Sequence, residues 1–160
     1  MKLKLNDMIF ASMIAALYAA VTFAVPGLSF LSVQFRLSEA LITMACISPA
    51  AIPGLAVGCM IANITSPFGI ADVLLGGLMT LLASLWAYFT RKITVKKMPL
   101  LSPVGSILLN SLYVAFLDAF AGGTSGVFFL SFMSVFLSET LICYLLGMPL
   151  FLLVNKINVS

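Results

Sequence analysis

The chain carries five acidic side chains, and one of them, Glu139, lies about a dozen residues inside an apolar stretch that opens near Val127. At about 1.5 Å per helical residue that is about 18 Å from the start of the stretch, the deepest charge in the sequence. On the preceding stretch Asn110, Tyr113, Leu117 and Asp118 follow helical spacing, with Asn110 near the middle and Asp118 close to the end. A carboxylate accepts two neighbouring N–H donors at once, and an amide both donates and accepts. These residues therefore suit the hydrogen-bonded capture of a small polar molecule. A competing reading has Glu139 protonated and bonded to Asn110 solely to pin two helices together.

Other polar residues fall near the same end. Arg36 and Glu39 are three apart in QFRLSEA and can pair on a helical turn, or else close over a ligand. Asn63 and Phe68 belong to the turn-forming segment NITSPFG. Asp72 follows in the first turn of the next helix, where a carboxylate complements the helix dipole and caps free amides, the reading the position favours. Covalent chemistry is not indicated. There is no histidine, and no GxxxxGK[ST], GxSxG, HExxH or Cys/His cluster, so neither an enzyme nor a bound metal or cofactor is expected. Cys46, Cys59 and Cys143 stand singly in apolar surroundings and read as buried structural thiols.

The elements that must position these groups are membrane helices. Of 160 residues 62% are apolar and 8% charged, with a mean hydropathy of +1.21. At about 20 residues per span, about six spans use nearly the whole chain, as one domain over 1–160 with no soluble part. The stretches run from about Met8 to Val25, ending at Pro26-Gly27, then Leu37–Ile47, Ala51–Ala62, Ile70–Thr90, Pro103–Ala121 and Val127–Val154. The second and third are short and separated by Ser48-Pro49, the pattern of steep or broken helices that line a cavity. The first follows Lys2 and Lys4 as a signal peptide would, but more membrane sequence follows it, so it reads as a retained span.

The expected fold class is thus an all-α integral membrane bundle of six transmembrane helices with short or broken helices 2 and 3. With a cytoplasmic amino terminus, six spans place Lys2, Lys4, Arg91, Lys92, Lys96, Lys97 and Lys156 inside, as the positive-inside rule prefers, and both termini are then cytoplasmic. The polar segments QFRLSEA, NITSPFG and GGTSG share the outer face. A net charge of +3 is accounted for by this orientation, so no nucleic-acid partner is indicated. Ala11, Ala15 and Ala19 form a small-residue face on the first helix, suited to internal packing or to docking of another membrane protein. Gly54, Gly58 and Ala62, and Gly76, Thr80 and Ser84, read as internal packing faces.

Three stretches carry a wider resemblance: QFRLSEAL from Gln34, SPAAIPGLAVGCMIANITSPFGIADVLLGGLMTLLA from Ser48, and the ending around Ser138-Glu139-Thr140 to Gly147-Met148-Pro149. Together they resemble the queuosine-precursor transporter family, QueT, over almost the whole chain. Ala50 departs from the acidic residue usual there. The resemblance implies a multi-pass cell-membrane S component of an energy-coupling factor (ECF) transporter that captures a 7-deazaguanine precursor of queuosine. It also implies partners, a coupling transmembrane protein and two ATPase subunits, in keeping with the missing ATP loop, and a docking role for Ala11, Ala15 and Ala19.

Given such a ligand, depth and face assign Glu139 to the two-donor edge of the base, Asn110 to its carbonyl and Asp118 to an ammonium group. Phe68 and Tyr113 would stack on the ring, and Arg36 with Glu39 would form part of a lid. The alternatives are an S component for another small vitamin or base and a structural membrane protein whose polar groups only join helices.

Overall fold

The computed structural model describes residues 4–25, 36–95, 98–122 and 125–159. Pro26-Gly27, most of the QFRLSEA lead-in, Lys2, Lys96, Lys97 and the centre of GGTSG lie outside the described residues. Six helices make up the described chain: α1 (Leu5–Ala24), α2 (Leu37–Ile47), α3 (Ala51–Ala62), α4 (Ile70–Thr90), α5 (Ser102–Gly122) and α6, which runs as Ser125–Ile142, Cys143–Gly147 and Met148–Val159. Four of them, α1, α4, α5 and α6, are long and apolar enough to cross a membrane, while α2 and α3 are shorter.

Local chemistry sets the boundaries. The backbone N–H of Lys4 donates to Asp7 Oδ2 at 3.3 Å, tying down the start of α1, where an acid also complements the dipole. Ser48 and Ser66 each precede a proline and are extended, at φ −139°, ψ 132° and φ −68°, ψ 142°, so α2 and the short 3-10 tail of α3 (Asn63–Thr65) must stop there. Gly69 then takes φ 63° to turn the chain into α4, a conformation that a side chain would disfavour. In α6, Pro149 cannot donate to the carbonyl four residues back and would clash with it. The helix answers with a π-turn over Cys143–Gly147 and continues.

Helices α1, α3, α4, α5 and α6 are neighbours in that order and curl around α2, which touches α1, α4, α5 and α6. Every residue of α2 from Ser38 to Cys46 is buried. This central position explains why α2 is short and apolar on nearly all sides, since it faces protein rather than lipid. The core gathers Ile14 and Tyr18, Leu41 and Ile42, Leu55 and Cys59, Ala83 and Ala87, and Phe151. Outward, Leu78, Phe89, Phe116, Phe120 and Leu137 are exposed, as apolar solvent requires.

The small-residue faces pack internally. A Cβ on Gly54 would stand 2.4 Å from Ala11 O, and one on Gly58 would stand 2.9 Å from Ala15 O, so α1 and α3 touch backbone to backbone along this seam. At one end of the bundle, Trp86 Nε1–H and the Tyr144 hydroxyl donate to the carbonyls of Leu101 and Leu100, at 3.1 and 2.7 Å, and hold the α4–α5 connection.

Candidate functional site

Two hydrogen-bonded clusters occupy the interior of the bundle, and α2 and α5 contribute to both or lie between them. In the first, the Tyr18 hydroxyl of α1 donates to Glu39 Oε1 of α2. Ser106 Oγ of α5 lies 2.9 Å from Glu39 Oε2 and 3.2 Å from Glu139 Oε2 of α6. Asn110 Nδ2, one turn along α5, donates to Glu139 Oε1 at 3.1 Å and to Ser106 Oγ at 3.2 Å. Glu39 and Glu139 are 0% and 1% exposed, so both carboxyls are removed from water and from lipid.

The second cluster starts three residues before Glu39. Arg36 donates through Nη2 to Asn63 Oδ1. Asn63 Nδ2 donates to the Asp72 carbonyl at 2.9 Å and lies 3.4 Å from Asp72 Oδ1, which also accepts the Tyr113 hydroxyl at 2.6 Å. Gly76 makes room for this arrangement, because a Cβ there would meet Asn63 Nδ2 at 2.3 Å. Arg36 is only 3% exposed, and among the described residues its Nε has no hydrogen-bond acceptor. A buried guanidinium N–H without a partner is costly.

Helical periodicity explains the convergence. Ser106, Asn110 and Tyr113 are spaced i, i+4 and i+7 and so share the inward face of α5, while Arg36 and Glu39 sit about one turn apart at the start of α2. The expected residues Glu139, Asn110, Glu39, Arg36, Asn63, Asp72 and Tyr113 are therefore all brought into the interior. Phe68 and Asp118 are not; both are half-buried towards the end of the bundle where α5 finishes.

Some expectations need correcting. Arg36 and Glu39 are interior groups rather than an exposed loop pair, and each turns to other partners. Asp72 directs its carboxylate to Tyr113 and Asn63 instead of capping α4, whose start has no side-chain cap. Ala15 and Ala19 are buried within the chain and Ala11 is half-buried, so the alanine face of α1 is the α1–α3 seam. Ala11 and Ala15 still border a shallow groove of about 150 Å³ with Ser12, Pro53, Gly54 and Val57.

Sequence reasoning missed Tyr18 and Ser106. The shared α5 face with Asn110 was a usable signal for Ser106, whereas nothing local marks Tyr18 among the apolar residues of α1.

The family model described as the QueT transporter matches residues 8–156. The chain belongs to the QueT transporter family. QueT members are named as transporters, a non-enzymatic role, and the four long apolar helices agree with a multi-pass membrane protein. Over 83 residues the chain is 42% identical to a protein of Lactococcus lactis subsp. cremoris (strain MG1363) named queuosine precursor transporter QueT. The aligned part covers 50% of this chain and 48% of that relative, so the match spans about half the relative's length. No solved structure matches the chain. All the interior groups described above fall within the residues matched to the QueT family.

Proposed function

We propose that this chain is the substrate-binding component of an ECF-type importer and captures a queuosine precursor, a 7-deazaguanine base, from outside the cell. Six spans with both termini cytoplasmic are part of this reading and rest on the distribution of lysine and arginine. The observation that carries it is the buried polar interior, above all Glu139 with Asn110 and an Arg36 Nε that has no acceptor among the described residues.

The flat base presents two adjacent N–H donors beside a carbonyl. Glu139 accepts the two donors as a bidentate, charge-assisted pair. Arg36 Nε donates to the carbonyl, and Asn110 contributes to the same edge while steadying Glu139. Glu39, Asn63 and Asp72 hold these groups in place, Tyr113 and Phe68 flank the ring, and Asp118 receives an ammonium group where the ligand has one. Ligand entry exchanges internal hydrogen bonds for ligand ones, so little hydrogen bonding is lost.

Partner docking follows the alanine face in a modified form. Because Ala15 packs on Gly58, a coupling protein reaches only the rim of the groove, at Ser12 and Val57, which are exposed. The coupling transmembrane protein, with two ATPase subunits, would seat there.

A structural reading is favoured by one observation, the mutual satisfaction of Glu139, Ser106 and Asn110, which alone can pin α5 to α6. The two readings differ in ligand protection. Thermal unfolding of the purified chain with each deazaguanine should rise, since a hundredfold excess over the dissociation constant adds about 2.7 kcal/mol. No rise with any deazaguanine, together with a rise for another vitamin or base, would move the assignment to that ligand; no rise with anything leaves the structural reading.

A further inference from the structure

The geometry points to a single proton shared by Glu39 and Glu139 across Ser106 in the ligand-free protein, released when the base binds. This deepens the ligand reading above and rests on it for its second half.

Ser106 Oγ lies 2.9 Å from Glu39 Oε2 and 3.2 Å from Glu139 Oε2, yet a hydroxyl has one hydrogen and can donate to only one of them. Its other contact must run the opposite way, from a carboxyl O–H to Ser106 Oγ. Asn110 cannot supply that hydrogen, because its two amide hydrogens go to Glu139 Oε1 and to Ser106 Oγ. The Tyr18 hydroxyl is also used, on Glu39 Oε1. With one carboxyl protonated, Ser106 donates once and accepts twice, which fills its capacity. With both ionised, two buried anions compete for one hydrogen, the arrangement that makes a close carboxyl pair keep a proton.

The remaining charges and titratable groups around the pair are compatible with this. Arg36, just before α2, supplies one positive charge, Asp72 on α4 a further carboxylate, and Tyr18, Cys59, Tyr113 and Cys143 face the cluster from α1, α3, α5 and α6. Among the described residues one cation therefore faces three carboxyls, and the shared proton reduces the excess.

The second half follows from the ligand's edge. Two ligand N–H groups on Glu139 free the Ser106 hydrogen for Glu39, so neither carboxyl depends on the shared proton any longer, and it leaves for solvent. Affinity then rises with pH, by up to about tenfold per unit while the empty pair remains protonated.

The test uses the full chain in detergent. Infrared spectroscopy of the ligand-free protein near neutral pH should show a protonated-carboxyl C=O band that either Glu39→Gln or Glu139→Gln removes and Asp72→Asn leaves. Absence of the band in the unsubstituted protein, or its survival in both glutamine variants, overturns the shared proton whatever the ligand. Calorimetric titration with the aminomethyl deazaguanine in buffers of different ionisation enthalpy should show about one proton released per base bound. Binding without release overturns the exchange. If no deazaguanine binds, the exchange falls together with the functional reading, while the infrared band still decides the shared proton.

Discussion

The α1–α3 seam makes a sharp quantitative test. In Gly58→Ala the new methyl would meet Tyr18 Cβ at 2.8 Å, Ala15 O at 2.9 Å and Ala15 Cα at 3.0 Å. Two of these atoms are backbone, so no rotamer change relieves the clash, and α1 must move away from α3. Overpacking of this kind costs about 1–3 kcal/mol. Replacing a mid-helix glycine by alanine returns about 0.5–1 kcal/mol, which leaves a net loss of up to about 2.5 kcal/mol. For a chain of this size about 2–4 °C accompanies each kcal/mol, so the unfolding midpoint should fall by several degrees. Gly126→Ala is the control, since among the described residues a Cβ there has no heavy atom within 4 Å and only the helical gain remains. Scanning fluorimetry of both variants in detergent should therefore give shifts of opposite sign. Equal shifts, or a Gly58→Ala midpoint raised as far as that of Gly126→Ala, would refute backbone contact along the seam. Tyr18 moves with α1, so the same variant should also weaken ligand binding through the Tyr18–Glu39 bond.

Further outcomes can be checked separately. Asn63→Leu removes the acceptor of Arg36 and a donor to Asp72 and should cost about 3–5 kcal/mol, as stranding a buried charge does, read as a large fall in unfolding temperature or loss of folded yield. Ser106→Ala should cost about 1–3 kcal/mol by leaving Glu39 and Glu139 short of a partner, measured by the same melt. Ser12→Trp and Val57→Trp should abolish co-purification with the coupling protein while ligand-induced thermal protection survives; loss of protection as well would place the groove in the binding site rather than at an interface. Cys46, Cys59 and Cys143, all buried, should react with a maleimide only after denaturation, as mass spectrometry of labelled chains would show.

The apolar periods of α1, α4, α5 and α6 were legible because lipid-facing and core-facing residues alike must be apolar over a length set by the bilayer. The breaks at Ser48-Pro49 and Ser66-Pro67 were legible because proline constrains the residue before it. Depth and helical phase correctly turned Glu139, Asn110 and Tyr113 inward. The placement of α2 was not legible, since an apolar segment of eleven residues reads the same at the centre of a bundle as at its edge. Arg36 and Glu39 consequently looked like loop residues. Asp72 was drawn from its capping role by Tyr113, forty-one positions away, and no local pattern records so distant a partner. The alanine ladder on α1 was visible, but whether its complement lay in this chain or another depended on Gly54 and Gly58, which only packing could pair with it.

The π-turn at Cys143–Gly147 fixes the angular phase of everything after it. One surplus residue in a helix rotates the following side chains by about 100°, and with that offset Phe151 points into the core cluster that also holds Ile14 and Leu41. Deleting a single residue from the turn would leave an uninterrupted apolar helix of the right length, yet swing Phe151 towards the acyl chains and press Pro149 against an intact carbonyl ladder. Length changes in this last helix should accordingly be tolerated near its ends and excluded at the turn.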